Sequence, residues 1–252
     1  MKHVLLCIVL YLRCLKMKKT SVSAKTEIRK FASPQRRKTN AWFFKTGKGE
    51  YGAGDVFIGV SVPDLRRVAK MFSDLTLSEI KKLLQSKIHE ERLFALIILT
   101  EQFPRSDEKK KKEIYKFYLA STKWVNNWDL VDTSAYKIVG EYLMDKNRAV
   151  LVKLANSKNI WERRIAIVST FQFIRRGQFD DTLNIATILL TDTHDLIHKA
   201  VGWMLREVGK KDTVVLEDFL IKHYKTMPRT MLRYAIERLS ATKGQAYLRG
   251  II

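Results

Sequence analysis

Beyond residue 14 the chain has no cysteine; Cys7 and Cys14 are its two. The body therefore has neither a disulfide framework nor a thiolate metal site, which fits a reducing compartment and makes the cytoplasm the expected location. Proline and glycine are scarce as well, four and eleven in 252 residues. So few backbone breakers favour helices over many short strands. Acid is outnumbered: 26 Asp and Glu face 47 Lys and Arg, a net charge of +21. An excess of that size calls for a polyanionic partner, either nucleic acid or an anionic membrane surface. Long apolar runs are missing too. The stretch 3–15 is too short to span a bilayer and is broken by Arg13. Lys16, Lys18 and Lys19 follow it with no small-residue cleavage site. We read 1–16 as an over-called start or a weak apolar leader, without stable membrane association.

What is present is an ordinary share of core-forming residues, 46% hydrophobic, enough for a folded body of this length. Residues 17–40 are basic and polar and read as a solvated arm or frayed helix, or as an arm that tracks phosphates. Gly47, Gly49 and Gly52 match G-x-G-x-x-G literally, but the stretch 46–55 lacks the strand before and the helix after that a dinucleotide fold requires. It reads as a flexible loop, followed by an extended 56–62 and a helix opening at Pro63 and Asp64. Polar start signals and Gly or Pro stops then mark helices over 77–84, 89–103, 109–119, 160–176, 195–208 and 228–240. A single domain is expected over 41–245, with 246–252 as a tail.

One kind of helix recurs. Arg92, Asp132, Arg163, Lys199 and Leu232 each precede a small residue by three positions, namely Ala95, Ala135, Ala166, Gly202 and Ala235. The spacings are 40, 31, 36 and 33 residues. A period in the thirties with paired helices predicts an all-α, HEAT-like α-solenoid with a concave basic face.

Within it, Trp124-Val-Asn-Asn-Trp128-Asp129-Leu-Val-Asp132 stands out as acidic and indole-rich. On a helix, Trp128 and Asp132 share a face, and Trp124 lies four residues before Trp128 on a similar bearing. Trp161, Arg163 and Arg164, then Trp203 and Arg206, mark the following repeats. Guanidinium groups suit phosphate, and indoles suit sugars, bases and cations. A carboxylate among them suits a cationic base or a developing oxocarbenium ion. The ordinary alternative is a surface acid beside core tryptophans.

At these residues the sequence resembles a known family. Asn127-Trp-Asp-Leu-Val-Asp132, Trp161-Glu-Arg-Arg164, Lys199-Ala-Val-Gly-Trp203-Met-Leu-Arg-Glu207 and Phe57-Ile-Gly-Val-Ser-Val-Pro63 are similar to the HEAT-repeat DNA glycosylases of the AlkD type. The resemblance covers roughly 40–245. It implies excision of N3- and N7-alkylated purines from duplex DNA by a monomer, with no cofactor or metal and without flipping the base. By motif position it implies Asp132 as the catalytic carboxylate and Trp128 and Trp203 as indoles against the deoxyribose. Arg164 would be a backbone contact, with Arg163, Arg206, Lys199 and Trp124 as further DNA contacts. The Gly-rich loop 46–55 has no counterpart in that pattern. The alternative function is a non-catalytic HEAT-repeat binder of bent or branched DNA; a protein scaffold is disfavoured by the charge.

Other signals carry less. His194 and His198 have the spacing of a helical zinc pair, but Asp195 stands where H-E-x-x-H has Glu, and the stretch reads as a helix start. Lys109–Lys112 reads as an exposed helical face, and Arg229, Arg233 and Arg238 as a secondary basic edge.

Overall fold

Helix signals in the sequence are realised as helices in the computed structural model, which describes residues 19–252. The leader 1–16, with Cys7 and Cys14, lies outside the described residues. No strand occurs among the described residues. The extended segment after the Gly-rich loop makes an isolated bridge from Val56 to Ile88. The chain divides into two units: one runs to Phe117 and includes Lys123–Val125, the other holds Tyr118–Thr122 and Asn126–Ile252.

The first unit contains α1 (Ser21–Arg29), α2 (Pro34–Phe43), α3 (Val62–Ala69), α4 (Leu77–Leu84), α5 (His89–Gln102) and most of α6 (Glu108–Leu119). Leu93 to Leu99 are all buried. A helix apolar on every side belongs at the centre of its unit, and α3 and α4 both pack on α5. Ser61 caps α3 by accepting from the Asp64 amide, with Pro63 in the first turn as expected. From Lys19 on, the described part of the basic segment is not an arm but two helices. Ala24 and Ile28, one turn apart on α1, are wholly buried. Glu91, itself fully buried, receives Lys25 at 3.0 Å and Arg29 at 2.7 Å. Burial works to raise the Glu91 carboxyl, but hydrogen bonds from Ser86, Lys25 and Arg29 hold it below its ordinary value. Two cations of what looks like a free arm are therefore spent on docking.

The second unit contains α7 (Trp128–Ala135), a π-helical turn (Tyr136–Gly140), α8 (Ala149–Ala155), α9 (Ile160–Ser169) and α10 (Phe171–Arg175). Then follow α11 (Asp180–Ile188), α12 (Asp195–Lys211), α13 (Thr213–His223), α14 (Arg229–Ala235) and α15 (Ala241–Arg249). Here α9 packs on α7 and on α12, and α12 packs on α14, while α8 backs α9 and α11 and α13 back α12. This is the layered stacking of a HEAT-like solenoid. Three stretches differ from the sequence expectation, the first being the helix expected over 228–240, which ends at Ala235. The helix expected over 160–176 breaks at Thr170. Ser169 and Thr170 are buried there and donate back to the carbonyls of Ile165 and Ile167, which competes with the helical ladder. The tail 246–252 is largely the end of α15: Tyr247 is buried and Tyr224 donates to the Ile252 carbonyl at 2.7 Å.

Gly202 shows why a small residue recurs. A Cβ there would stand 2.4 Å from the Met231 carbonyl oxygen and 2.5 Å from the Tyr234 Cβ. The approach of α12 to α14 is set by that missing methyl group. Gly202→Ala is expected to cost about 1–3 kcal/mol through overpacking, read as a lower urea midpoint with an unchanged slope.

Candidate active site

Asp132 lies on the fifth residue of α7, one turn after Trp128. The helix starts there because Asn127 is extended and its side-chain oxygen accepts from the Trp128 amide at 2.8 Å. Asp129 turns its carboxylate onto the Leu130 amide at 2.9 Å, in the first turn, where negative charge is favoured. The far side of α7 is fixed from α6. Ser134 donates its proton to the Leu130 carbonyl, so the buried Tyr118 hydroxyl must donate to Ser134, at 2.9 Å. Burial raises the Tyr118 hydroxyl well above its ordinary value, so it stays protonated for this purpose. No sequence pattern signalled that bolt, because its two ends lie sixteen residues apart on different helices.

The Asp132 carboxylate meets Arg164 of α9 in a two-pronged pair, Nε to Oδ1 at 2.8 Å and Nη2 to Oδ2 at 2.7 Å. The third arm, Nη1, donates to the Leu196 carbonyl at the start of α12, at 2.5 Å. Arg164 is 5% exposed, whereas the Asp132 side chain retains 19%. The carboxylate is thus the member of the pair that reaches solvent. Burial raises the Asp132 carboxyl above its ordinary value, although Arg164 pulls it down. Arg164, expected as a backbone contact, has its guanidinium committed inside the protein.

Arg163 points elsewhere. Its Nε meets Asp192 at 2.6 Å, and its Nη1 donates to the carbonyls of Ser157 and Lys158. In the first unit Arg92 does the same with Asp55 and the carbonyls of Ser86 and Lys87. These arginines clamp the loop before their own helix, a structural task repeated in two repeats. The shared geometry also corrects the repeat register. The residues whose carbonyls open these helices are Ile88, Asn127, Asn159, His194 and Pro228, each bonded to the amide four residues on. One step past those amides lie Leu93, Asp132, Arg164, Lys199 and Arg233. Asp132 is therefore the counterpart of Arg164, not of Arg92 and Arg163. At that shared position of α7 and α9 the two side chains meet and pair.

Trp203 on α12 lies in an aromatic row. Phe171 stands 6.0 Å from it and 5.3 Å from Tyr136, the latter edge-on. Tyr136 owes its place to the π-helical turn, whose extra residue shifts the register after Ala135. Trp161 is buried and belongs to the core. Trp124 sits in a 3₁₀ turn separated from α7 by the extended Asn127, so one helix does not carry both indoles. Lys123 lies 4.2 Å from its ring centre.

The sequence model of a family described as DNA alkylation repair enzyme matches residues 24–239. The chain belongs to that DNA alkylation repair family. Among solved structures, it is similar to a predicted DNA alkylation repair enzyme from Enterococcus faecalis, at 17% identity and a TM-score of 0.65, covering 83% of this chain and 97% of that one. It is also similar to AlkD2 from Streptococcus mutans, at 17% identity and a TM-score of 0.52, covering 88% and 98%. At that identity the two structures speak to the fold. No curated protein matches the chain.

DNA is the partner that membership in this repair family implies. Lys199 is 41% exposed at its side chain and pairs with Asp195 at 2.7 Å. Arg206 pairs with Glu237 and lies 3.6 Å from Glu207. Arg229, Arg233 and Arg238 are exposed. In the first unit the Lys109–Lys112 run is partly neutralised along its own helix, by Glu108 and Glu113. Both imidazoles of the His194–His198 pair are engaged by backbone, His194 accepting from the Leu196 amide and His198 meeting the Asp192 carbonyl. Among the described residues no cluster of metal-ligating side chains occurs, and no helix is long and apolar enough to cross a membrane.

A stability contrast checks the pair. Arg164→Ala leaves a largely buried carboxylate unmatched and should lose about 3 kcal/mol. Lys199→Ala, at an exposed pair, should stay within about 1 kcal/mol in the same urea titration.

Proposed function

We propose that this protein hydrolyses the N-glycosidic bond of positively charged N3- and N7-alkylated purines in duplex DNA. The observation that carries the reading is the Asp132 carboxylate, held by Arg164, partly exposed and on the same face of α7 as Trp128. A net charge of +21 and membership in the alkylation repair family support it.

The chemistry follows from charge. An alkylated purine already carries the positive charge that protonation would supply. When the C1′–N bond breaks, the base leaves neutral with the bonding electrons and the sugar becomes an oxocarbenium ion. Asp132 faces that cation and orients a water that adds to C1′ and gives up its proton. Each carboxylate oxygen spends one lone pair on Arg164 and keeps another for this work. Fixed charges already in place stabilise the transition state without reorganising. Trp128 and Trp203 offer apolar, electron-rich faces to the deoxyribose and to its developing charge. Such a site needs no base pocket, so extrusion of the base is not part of the mechanism. Arg164 is a positioning residue, while Lys199, Arg206 and the exposed arginines of α14 and its following turn meet phosphates. We infer a monomer acting without a cofactor.

One observation favours a second reading. The Asp132–Arg164 pair is electrically matched, and a matched pair can serve as a mere brace between repeats in a non-catalytic binder of bent or branched DNA.

The two readings separate on Asp132→Asn. A catalytic carboxylate predicts at least about a hundredfold loss of N7-methylguanine release, with DNA affinity within about threefold of wild type. A brace predicts no release by either protein. The pH profile tests Arg164. The working form is ionised, so release rises with pH through the folded carboxyl value, which burial places above the ordinary aspartate range. Because Arg164 lowers that value, Arg164→Lys, with weaker pairing, should move the acid limb to higher pH. An unmoved limb would mean that Arg164 does not act on Asp132 ionisation.

A further inference from the structure

The Gly-rich loop and the helix before it have no part in the Asp132 chemistry. Helix α2 has no buried residue. It nevertheless ends in Trp42, 74% exposed, and Phe43, 53% exposed. Single exposed apolar residues are ordinary, but two adjacent large rings on a helix that contributes nothing to the core are not. Residues 34–48 also contain Arg36, Arg37, Lys38, Lys45 and Lys48 and no carboxylate. Lys38 stands one helical turn before Trp42, and Lys45 lies 5.7 Å from the Trp42 ring centre.

The tip is built, not loose. Phe44 anchors it by stacking on Phe57 at 5.0 Å and lying 5.0 Å from His89, while Phe43 stands edge-on to Phe44. Arg36 donates to the Gly59 carbonyl at 2.9 Å and fixes the other end of the helix. The loop then returns beneath the tip. Gly52 donates to the Lys45 carbonyl at 3.0 Å, and a Cβ on it would stand 2.2 Å from the Phe44 carbonyl oxygen. Glu50 turns inward onto the Gly47 amide at 2.8 Å. The G-x-G-x-x-G run is thus a buttress, with Gly52 passing close under a helix end and Gly49 turning the chain at a positive φ.

We propose that the Trp42–Phe43 tip is a second DNA contact, which stacks on bases of an unpaired or unstacked strand while Arg37, Lys38, Lys45 and Lys48 hold its phosphates. Aromatic faces interleaved with cations are the means by which proteins grip single strands without reading sequence. Intact duplex offers no free base face, so the tip favours distorted or open DNA. The inference goes beyond the Asp132 chemistry and does not require it.

The test uses the full chain and fluorescein-labelled oligodeoxynucleotides, one single-stranded and one an undamaged duplex. Trp42→Ala with Phe43→Ala should weaken single-strand binding by about tenfold or more and duplex binding by less than about threefold. Trp42→Phe keeps a ring and should retain most of the affinity. Arg37→Ala with Lys38→Ala should weaken both and reduce the salt slope by about one to two. Because α2 buries nothing, circular dichroism and the melting temperature should match wild type. If the ring variant were unfolded, Trp42→Ala alone would carry the comparison. Equal or absent losses on the two DNAs would overturn the proposal. So would a dimer in sedimentation that the ring variant dissolves, or vesicles of phosphatidylserine and phosphatidylcholine whose binding alone depends on the rings. Release of N7-methylguanine by the ring variant is scored separately, so failure here and failure of the glycosylase reading give different patterns.

Discussion

The guanidinium of Arg164 ties together helices of three successive repeats. It sits on α9, holds Asp132 of α7 with two hydrogen bonds and takes the Leu196 carbonyl at the head of α12 with a third. A stack of repeats needs such cross-ties, because each repeat meets its neighbours through a narrow face. A carboxylate that is to face a transient cation also needs restraint. Left alone at the surface it would be solvated and mobile; buried alone it would protonate. The pair resolves both demands. Burial raises the Asp132 carboxyl and Arg164 pulls it back towards its ordinary value and fixes its direction, while the side chain retains partial exposure.

The rest of the second unit supports that arrangement from behind. Tyr118 and Ser134 bolt α7 to the end of α6. Glu162 on α9 accepts from Thr122 and Ser157, tying the turn ahead of α7 to the loop ahead of α9. Asp192 receives Arg163 and caps the entry to α12. Gly202 lets α14 close against α12 behind Trp203. Each element bearing a candidate reacting group is thus held from another repeat, so precision at Asp132 depends on stacking rather than on any single helix.

Much of this was legible in the sequence, and the parts that were not share a physical cause. Ser61 with Pro63, Thr76, and Gly177 mark helix ends through local backbone chemistry, and local chemistry can be read along the chain. The repeat period was legible as well. Its register slipped by one residue at 92, 163 and 232, because the marked arginines 92 and 163 are alike for a different reason: each clamps its own preceding loop. The true counterpart of Asp132 emerges only when the opening carbonyls are known. Arg164 reads as a DNA contact by motif position because its partner lies thirty-two residues away on another helix. The basic segment 17–40 reads as an arm because nothing local shows that Glu91 waits to pair with Lys25 and Arg29.

The central claim is that Asp132 and the indoles break a glycosidic bond in place. It is tested most directly by mixing excess wild-type protein with duplex DNA carrying N7-methylguanine and following release of the free base. The account predicts single-exponential release that leaves an intact strand with an abasic site, cleaved only on later alkaline treatment. Saturated binding with no base released beyond the spontaneous rate would contradict it.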